Sequence, residues 1–269
     1  MVRIYIGAQT QTIWSAEATF GAGSGATKNW LGYVQEHSPT ETENYSAYRY
    51  VGASGDRAVK TFISKGQTFT GRITNIAQVP NIWHYAFGAV AHTGSPVSTR
   101  TITESGLLPS FALEDVQESV ANEHLARKMN GCKIDSITWK WNDGEPVEEE
   151  INYIAQSVTY GSGSKSAITA IGSQPYMWSM VNFNFSGGGL NGPLTEIKSG
   201  HFTLKNNLIT AHYVGQSGTL TGNPSRAIGE QIPGPLEYEG EIVSNMAVGT
   251  GGDLYYNLYR GGSEFNANL

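Results

Sequence analysis

The stretch SITWKWNDGEPVEEEINYIAQSV, residues 136–158, decides the fold class. Its first six residues alternate polar and apolar side chains, with Ile137 and two tryptophans on one face, as expected of a strand. Asn142-Asp143-Gly144 then supplies a turn, and Val147 to Val158 has the pattern of a returning strand. The stretch therefore predicts a β-hairpin.

Composition extends this prediction to the whole chain. The 269 residues include 33 glycines and 11% aromatic residues, but only 15% charged residues. Glycine-rich turns between short aromatic and β-branched runs are typical of an all-β sandwich or barrel. The length suffices for one large β domain or two small ones. We therefore expect a mainly β protein with one or two short helices.

Charge and cysteine content restrict the possible partners and compartments. A formal net charge of −6, without a cluster of Lys and Arg, argues against a partner held through phosphate contacts. The single cysteine, Cys132, cannot form an internal disulfide, which indicates a reducing compartment, and it is expected to be a small buried residue. Residues 1–7 lack the pattern of a signal peptide, and no apolar run approaches about 18 residues, so we expect no membrane span.

Further elements are predicted from periodicity. Alternation over Met177–Phe185 predicts a strand, and Phe202 to Leu204 predicts a strand before a turn at Asn206-Asn207. The segment Asp115–Met129 has good helix formers and apolar residues three and four apart, which predicts a short surface helix. A second short helix is predicted within Asn81–Ala89.

An internal repeat is the most informative feature of the sequence. The first copy comprises Tyr50-Val51-Gly52, Arg57-Ala58-Val59 and Phe69-Thr70-Gly71-Arg72-Ile73, and the second comprises Tyr213-Val214-Gly215, Arg226-Ala227-Ile228 and Tyr238-Glu239-Gly240-Glu241-Ile242. In both copies the arginine and the last glycine are fourteen residues apart, whereas the gap from the first glycine to the arginine is five residues in one copy and eleven in the other.

This repeat predicts a duplicated fold. We expect one repeat in residues 1–104 and the other in residues 105–269, with the alternative that both share one compact unit. The equivalent positions are Gly52, Arg57 and Gly71 in the first repeat, and Gly215, Arg226 and Gly240 in the second.

Motifs that could carry chemistry are weak. Gly187, Gly189 and Gly192 have GxGxxG spacing, but strand-like residues follow where a dinucleotide site needs a helix, so a hairpin loop is favoured. In the run Glu148-Glu149-Glu150 only the first and third residues can share a strand face, and a solvated face is favoured over a catalytic pair. The six histidines form no HExxH motif, and one cysteine argues against a zinc site. We expect neither an enzyme nor a bound cofactor or metal.

The same motifs resemble those of tail tube proteins of tailed viruses, including archaeal viruses and proviruses. Tyr50-Val51-Gly52 with Arg57, and the run that ends at Gly71, look like the family signature. Other similar segments are Leu108 to Glu114, Gly131 to Thr138, Gly144 to Gln156 and Phe202 to Leu208. Together these cover most of Tyr33 to Tyr259, and the departures are Asp115 to Asn130 and Gln216 to Asn223.

The resemblance implies a structural virion protein whose β-sandwich assembles into stacked rings around a channel. A duplicated chain could build a ring of six domains from three subunits, and a hexamer is the alternative. The resemblance further implies viral DNA in the bore, contacts with tape-measure and tail-end proteins, and assembly in the host cytoplasm. An acidic subunit can present a neutral or negative bore, which would not hold DNA. Alternatives are the inner tube of a contractile injection device and a carbohydrate-binding β-sandwich with exposed Trp and Tyr.

Overall fold

The computed structural model describes residues 11–23, 25, 27–48, 61–93, 99–118, 124–161, 168, 174–181, 184–187, 190–193, 197–212, 228–244 and 266–268. Within them the strands are β1 (Gln11–Ala16), β2 (Asn29–Trp30), β3 (Tyr33–Tyr48), β4 (Thr61–Ile76), β5 (Gly88–Thr93), β6 (Thr99–Glu104), β7 (Phe111–Glu118), β8 (His124–Asn142), β9 (Glu148–Ala155), β10 (Ser157–Gly161), β11 (Asn184–Gly187), β12 (Leu190–Pro193), β13 (Ile197–Lys205), β14 (Ile209–Ala211), β15 (Glu230–Ile232), β16 (Glu237–Ser244) and β17 (Asn266–Asn268). One short helix, α1, spans His84–Phe87.

Two layers of antiparallel strands share the long strand β8. Its first part pairs with β7 and β10, and β1 and β2 extend that layer beyond β7. Its second part lies between β9 and β13 in a six-stranded sheet of order β3-β4-β9-β8-β13-β16. The change of layer occurs near Gly131, whose φ of 63° allows the strand to turn there. The shared strand makes the fold a β-sandwich with a continuous backbone between its layers.

The core lies between these two layers and is rich in aromatic residues. Trp14 and Phe111 from one layer meet Tyr85 of α1 edge-on, with ring centroids 5.4 and 5.2 Å apart. Ile73 and Ile151 of the six-stranded sheet are fully buried in the same cluster. Strands from residues 1–104 and 105–269 therefore contribute to a single core, and β1 pairs with β7 just as β4 pairs with β9.

Most predicted elements are confirmed. The hairpin at residues 136–158 is formed by β8 and β9, with the turn at the predicted position. Strand β13 contains Phe202 to Leu204 and ends before Asn207, which has a φ of 47° as a turn residue can. The helix α1 lies inside the predicted segment Asn81–Ala89, and Cys132 is buried.

The predicted helix at Asp115–Met129 is wrong, because this segment contributes to β7 and β8. Residues 111–116 of β7 are all buried, since β7 lies between β1 and β8 inside the sandwich. Pairing with strands distant in sequence has outweighed local helix propensity. Residues 119–123 lie outside the described residues.

Two further expectations are corrected. The strand predicted at Met177–Phe185 begins only at Asn184, and Trp178–Met180 is a turn of 3₁₀ helix, where the Trp178 amide donates to the Glu145 carbonyl. The tryptophan side chains, moreover, are not exposed: Trp14, Trp139 and Trp141 are buried, and the other three are half-buried.

Two classes of feature are not found in the described part of the chain. None of its helices has the length and apolar character needed to cross a bilayer. It also contains no group of three or more His, Cys, Asp or Glu side chains placed to hold a metal ion.

Candidate functional site: the polar face of the six-stranded sheet

The six-stranded sheet has one apolar and one polar face. Its apolar face carries side chains such as Ile73, Ile151, Ile137 and Leu204, all fully buried against the other layer. Residues alternate between faces along each strand, so the intervening residues share the opposite surface. On β9 the alternation of buried and partly exposed residues is complete from Glu148 to Ala155.

The polar face consists of three rows that cross all or most of the sheet. By strand register the rows are Ser38, Arg72, Asn152, Ser136, Lys205 and Glu237; then Glu36, Thr74, Glu150, Thr138, Thr203 and Glu239; then Glu148, Lys140, His201 and Glu241. Every one of these side chains is polar, and the three rows contain six carboxylates and three basic side chains, a net charge of −3 with His201 neutral. The third row continues onto β4 and β3 with Ile76 and Tyr33, and the adjoining row beyond Arg72 consists of Thr40, Thr70, Ile154 and Lys133.

Polar contacts hold this face together across strand boundaries. The hydroxyls of Thr138 and Thr203 lie 2.9 Å apart, and Asn152 Nδ2 donates to Ser136 Oγ at 3.1 Å. Three ion pairs join neighbouring strands: Arg72 Nη2–Glu36 Oε2 at 3.3 Å, Lys140 Nζ–Glu150 Oε2 at 3.0 Å and Lys205 Nζ–Glu239 Oε2 at 2.5 Å. Arg72, Lys140 and Lys205 are thus each in contact with a carboxylate.

Both ends of the sheet are edges within the described residues. Strand β3 pairs only with β4, and β16 pairs only with β13. The β3–β4 ladder also continues past the sandwich, because β9 pairs only with the half of β4 that begins at Phe69. Edge strands present unpaired backbone groups that can join another chain, so both ends of the sheet are candidate assembly surfaces.

A buried polar cluster behind β3 joins the two layers. The Asp115 carboxylate accepts hydrogen bonds from Thr12 Oγ1 and Arg127 Nη2, each at 2.8 Å, and contacts His37 Nδ1 at 2.7 Å. Burial raises the pKa of Asp115, but the hydrogen bonds from His37, Arg127 and Thr12 outweigh it, so the pKa lies below its ordinary value. The other ring nitrogen of His37 is 2.7 Å from the Tyr153 hydroxyl.

Asp115, His37 and the Tyr153 hydroxyl follow one another in the order of a hydrolase triad, but the hydroxyl lacks the environment of a nucleophile. Tyr153 is buried and its hydroxyl donates to Met129 Sδ at 3.1 Å. Burial raises the pKa of Tyr153, which keeps the hydroxyl protonated. The cluster therefore anchors β3 to the core. Its members come from five separate strands, and no sequence motif could have revealed it.

Glu149 is the second feature that the sequence did not reveal. It faces the core between the two other glutamates of its run, and accepts hydrogen bonds from Trp139 Nε1 at 3.0 Å, Asn75 Nδ2 at 3.2 Å and Trp83 Nε1. Burial raises the pKa of Glu149 to about 7, against the lowering effect of these donors. Glu148 and Glu150 share the polar face, as predicted from alternation.

The two glycines of the repeat that are described have different surroundings. A Cβ atom at Gly71 in β4 would overlap the Tyr153 ring, whereas a Cβ atom at Gly240 in β16 would be 3.2 Å from the His201 carbonyl oxygen and 3.5 Å from the Phe202 ring. Gly71 lies in an inner strand and Gly240 in an edge strand. Gly52, Arg57, Gly215 and Arg226 lie outside the described residues, so the equivalence of the two copies stays a prediction.

The GxGxxG spacing is part of a hairpin. Gly187 ends β11 and pairs with Leu190 of β12, and Gly192 pairs with Phe185, while Gly189 lies outside the described residues. No helix begins in the described residues after these glycines, so the hairpin interpretation is confirmed.

Comparison with known proteins identifies the family of the chain. No curated protein sequence matches the chain significantly. Among solved structures the chain is similar to the SPP1 tail tube, determined by solid-state NMR and cryo EM, with a TM-score of 0.40, 9% identity, and coverage of 60% of this chain and 80% of that chain. The model of the family described as phage tail tube protein matches residues 7–269. Since this match spans nearly the whole sequence, the chain belongs to the phage tail tube protein family and is a structural protein of the viral tail.

Proposed function

We propose that the chain builds the tail tube as stacked rings in which the polar face of the six-stranded sheet lines the bore, and that viral DNA passes over this face toward the host cell. The observation that carries the proposal is the polar face itself. Two of its rows are polar on all six strands and the third is polar on four, whereas the opposite face is covered by the chain's own core.

The free edges supply a way to close the ring. Strand β3 of one subunit can pair with β16 of the next, which would join the sheets into one barrel and remove both edges. The anchoring of β3 by His37 and Asp115 keeps this edge in place before assembly.

Barrel geometry favours three subunits over six. Three copies of the six described strands make 18 strands. With about 4.8 Å between strands and a tilt of about 40°, 18 strands give a backbone diameter of about 36 Å, and 36 strands give about 72 Å. Side chains take about 5 Å from each wall, half the usual distance between packed sheets. The trimer then leaves a bore a little wider than a DNA duplex, while the hexamer leaves one several times wider than needed.

The predicted duplication would fit the trimeric ring. Each repeat copy ends in the second strand of an antiparallel pair, β3–β4 for the first copy and β13–β16 for the second, at opposite ends of one sheet. Three chains would then place six such pairs around the bore.

The charge of the polar face suits DNA transport. Six carboxylates and three basic groups repel phosphates weakly, and at physiological salt this repulsion decays over about 8 Å. Tape-measure and tail-end proteins would contact the rings during assembly in the host cytoplasm, which agrees with the lone, buried Cys132.

A cysteine at the centre of the polar face tests its placement. Lys140 lies on the shared strand β8 with a half-exposed side chain. Lys140→Cys in assembled tubes is expected to react with a small maleimide but to be protected from a maleimide on a large polymer that cannot enter the bore. Unassembled subunits should react with both. Equal reaction of tubes and subunits with the large reagent would place the face on the outside.

A further inference from the structure

Two lysines of the polar face, Lys205 and Lys140, each have two carboxylates on one neighbouring strand, one directly opposite and one diagonal. Lys205 contacts Glu239 at 2.5 Å, and Glu237 is its direct cross-strand neighbour on β16. Direct and diagonal neighbours on an antiparallel pair are both within reach of long side chains. The hydrogen bond and charge of Glu239, together with the charge of Glu237, raise the pKa of Lys205. Lys205 can therefore exchange one carboxylate for the other without becoming free.

Lys140 repeats this arrangement at the centre of the sheet. Its Nζ is 3.0 Å from Glu150 Oε2, and its direct neighbour on β9 is Glu148. In both cases the two carboxylates are two residues apart on one strand, so they share the face, and the lysine contacts the diagonal carboxylate. The remaining basic group of the three rows, Arg72, contacts Glu36. Lys133, in the adjoining row, donates to the Gln231 carbonyl at 2.8 Å.

We propose that this pairing of Lys140 and of Lys205 with two carboxylates each keeps the three rows of the polar face free of phosphate-binding groups, so that a DNA duplex slides over them without being held. The inference rests on the proposed function only for the claim that DNA meets this face. A lysine that contacts a phosphate replaces cations condensed on the DNA, but here fixed carboxylates of the same sheet already neutralise the ammonium group. A phosphate must displace both carboxylates to reach the ammonium group.

The edge strand β16 offers a matched set of variants, because Glu237, Glu239 and Glu241 all lie on the polar face. Three double variants remove the same charge from the same strand. Only Glu237→Gln with Glu239→Gln deprives Lys205 of both carboxylates. Glu237→Gln with Glu241→Gln, and Glu239→Gln with Glu241→Gln, each leave one carboxylate beside the lysine.

The assay is co-sedimentation of a short fluorescent DNA duplex with assembled tubes at low and rising salt. The variant that frees Lys205 is expected to retain at least tenfold more duplex at low salt than either control. For this variant, the slope of log affinity against log salt concentration should become steeper by about 0.9 for each phosphate that a freed lysine contacts. For a variant that does not assemble, subunits coupled to beads replace the tubes.

Equal retention by all three double variants, including the case in which none retains DNA, overturns the inference. This result would show that net charge, and not the pairing of Lys205, controls phosphate binding. Retention does not depend on which side of the tube carries the polar face, so the proposed function is tested separately by the protection of Lys140→Cys.

Discussion

Glu149→Gln should change how the stability of the subunit depends on pH. The carboxyl has a pKa of about 7 in the folded chain, against an ordinary value of 4.5, because it is buried. Between these values the folded chain keeps a proton that the unfolded chain has lost, so the free energy of unfolding falls as pH rises. At about 1.4 kcal/mol per pH unit, the loss between pH 4.5 and pH 8 is about 3 kcal/mol.

The glutamine variant cannot ionise at this position and should not show that loss. Its stability relative to wild type is therefore expected to rise by about 3 kcal/mol from pH 4.5 to pH 8. Urea denaturation followed by tryptophan fluorescence measures this difference, at one fixed subunit concentration because assembly shifts apparent stability. Contributions from other titrating groups cancel in the comparison.

A neighbouring core substitution provides the control. Ile151→Val lies two residues away on the same buried face of β9 and should cost about 1 kcal/mol at every pH. Trp83→Phe removes a donor that lowers the pKa of Glu149 and should move the transition to higher pH. If the relative stability of Glu149→Gln is the same at pH 5 and pH 8, burial does not control this carboxyl and the reasoning is wrong.

Three further predictions concern the core. Gly71→Ala pushes a methyl group into the tyrosine ring that covers it and should cost about 1–3 kcal/mol in urea denaturation, whereas Gly106→Ala, which meets no neighbour, should cost much less. Asp115→Asn removes a buried charge that contacts Arg127 and His37, and should lower the free energy of unfolding in urea by about 3–5 kcal/mol. Asp143→Asn, in an exposed turn, is the control and should change it little. Because the pKa of Asp115 is lowered, its contribution is present above the ordinary pKa and is lost as pH falls below it. Burial raises the pKa of Cys132, so a thiol reagent should modify it at the rate of unfolding, and rapid modification of the native chain would contradict its burial.

Local pattern was sufficient for elements whose faces differ strongly. The alternation around Trp139 predicts β8, and the turn that follows predicts its hairpin with β9, because one face is apolar and the other polar. The same reasoning failed at Asp115, where β7 is buried on both faces and its carboxylates are neutralised by residues distant in sequence. A strand of this kind has no period of two to detect.

The polar face could be predicted only in part. Alternation shows that Glu148 and Glu150 share a surface, but it does not identify which strands lie beside β9. The rows depend on pairings such as Lys140 with His201 and Lys205 with Glu237, which are set by register between distant segments. Glu149 was missed for the same reason, since the indole donors that hold it are Trp83, which directly precedes α1, and Trp139 of β8.

The central claim is that the polar face of the six-stranded sheet lines the bore of a three-subunit ring. Cryo-EM reconstruction of assembled tubes, at a resolution that separates strands, tests it most directly. The account predicts three chains per ring, β3 beside β16 of the next subunit, and side chains such as Lys140 and Thr203 directed into the bore. A ring of six chains, or a map in which this face lies on the outer wall, would contradict it.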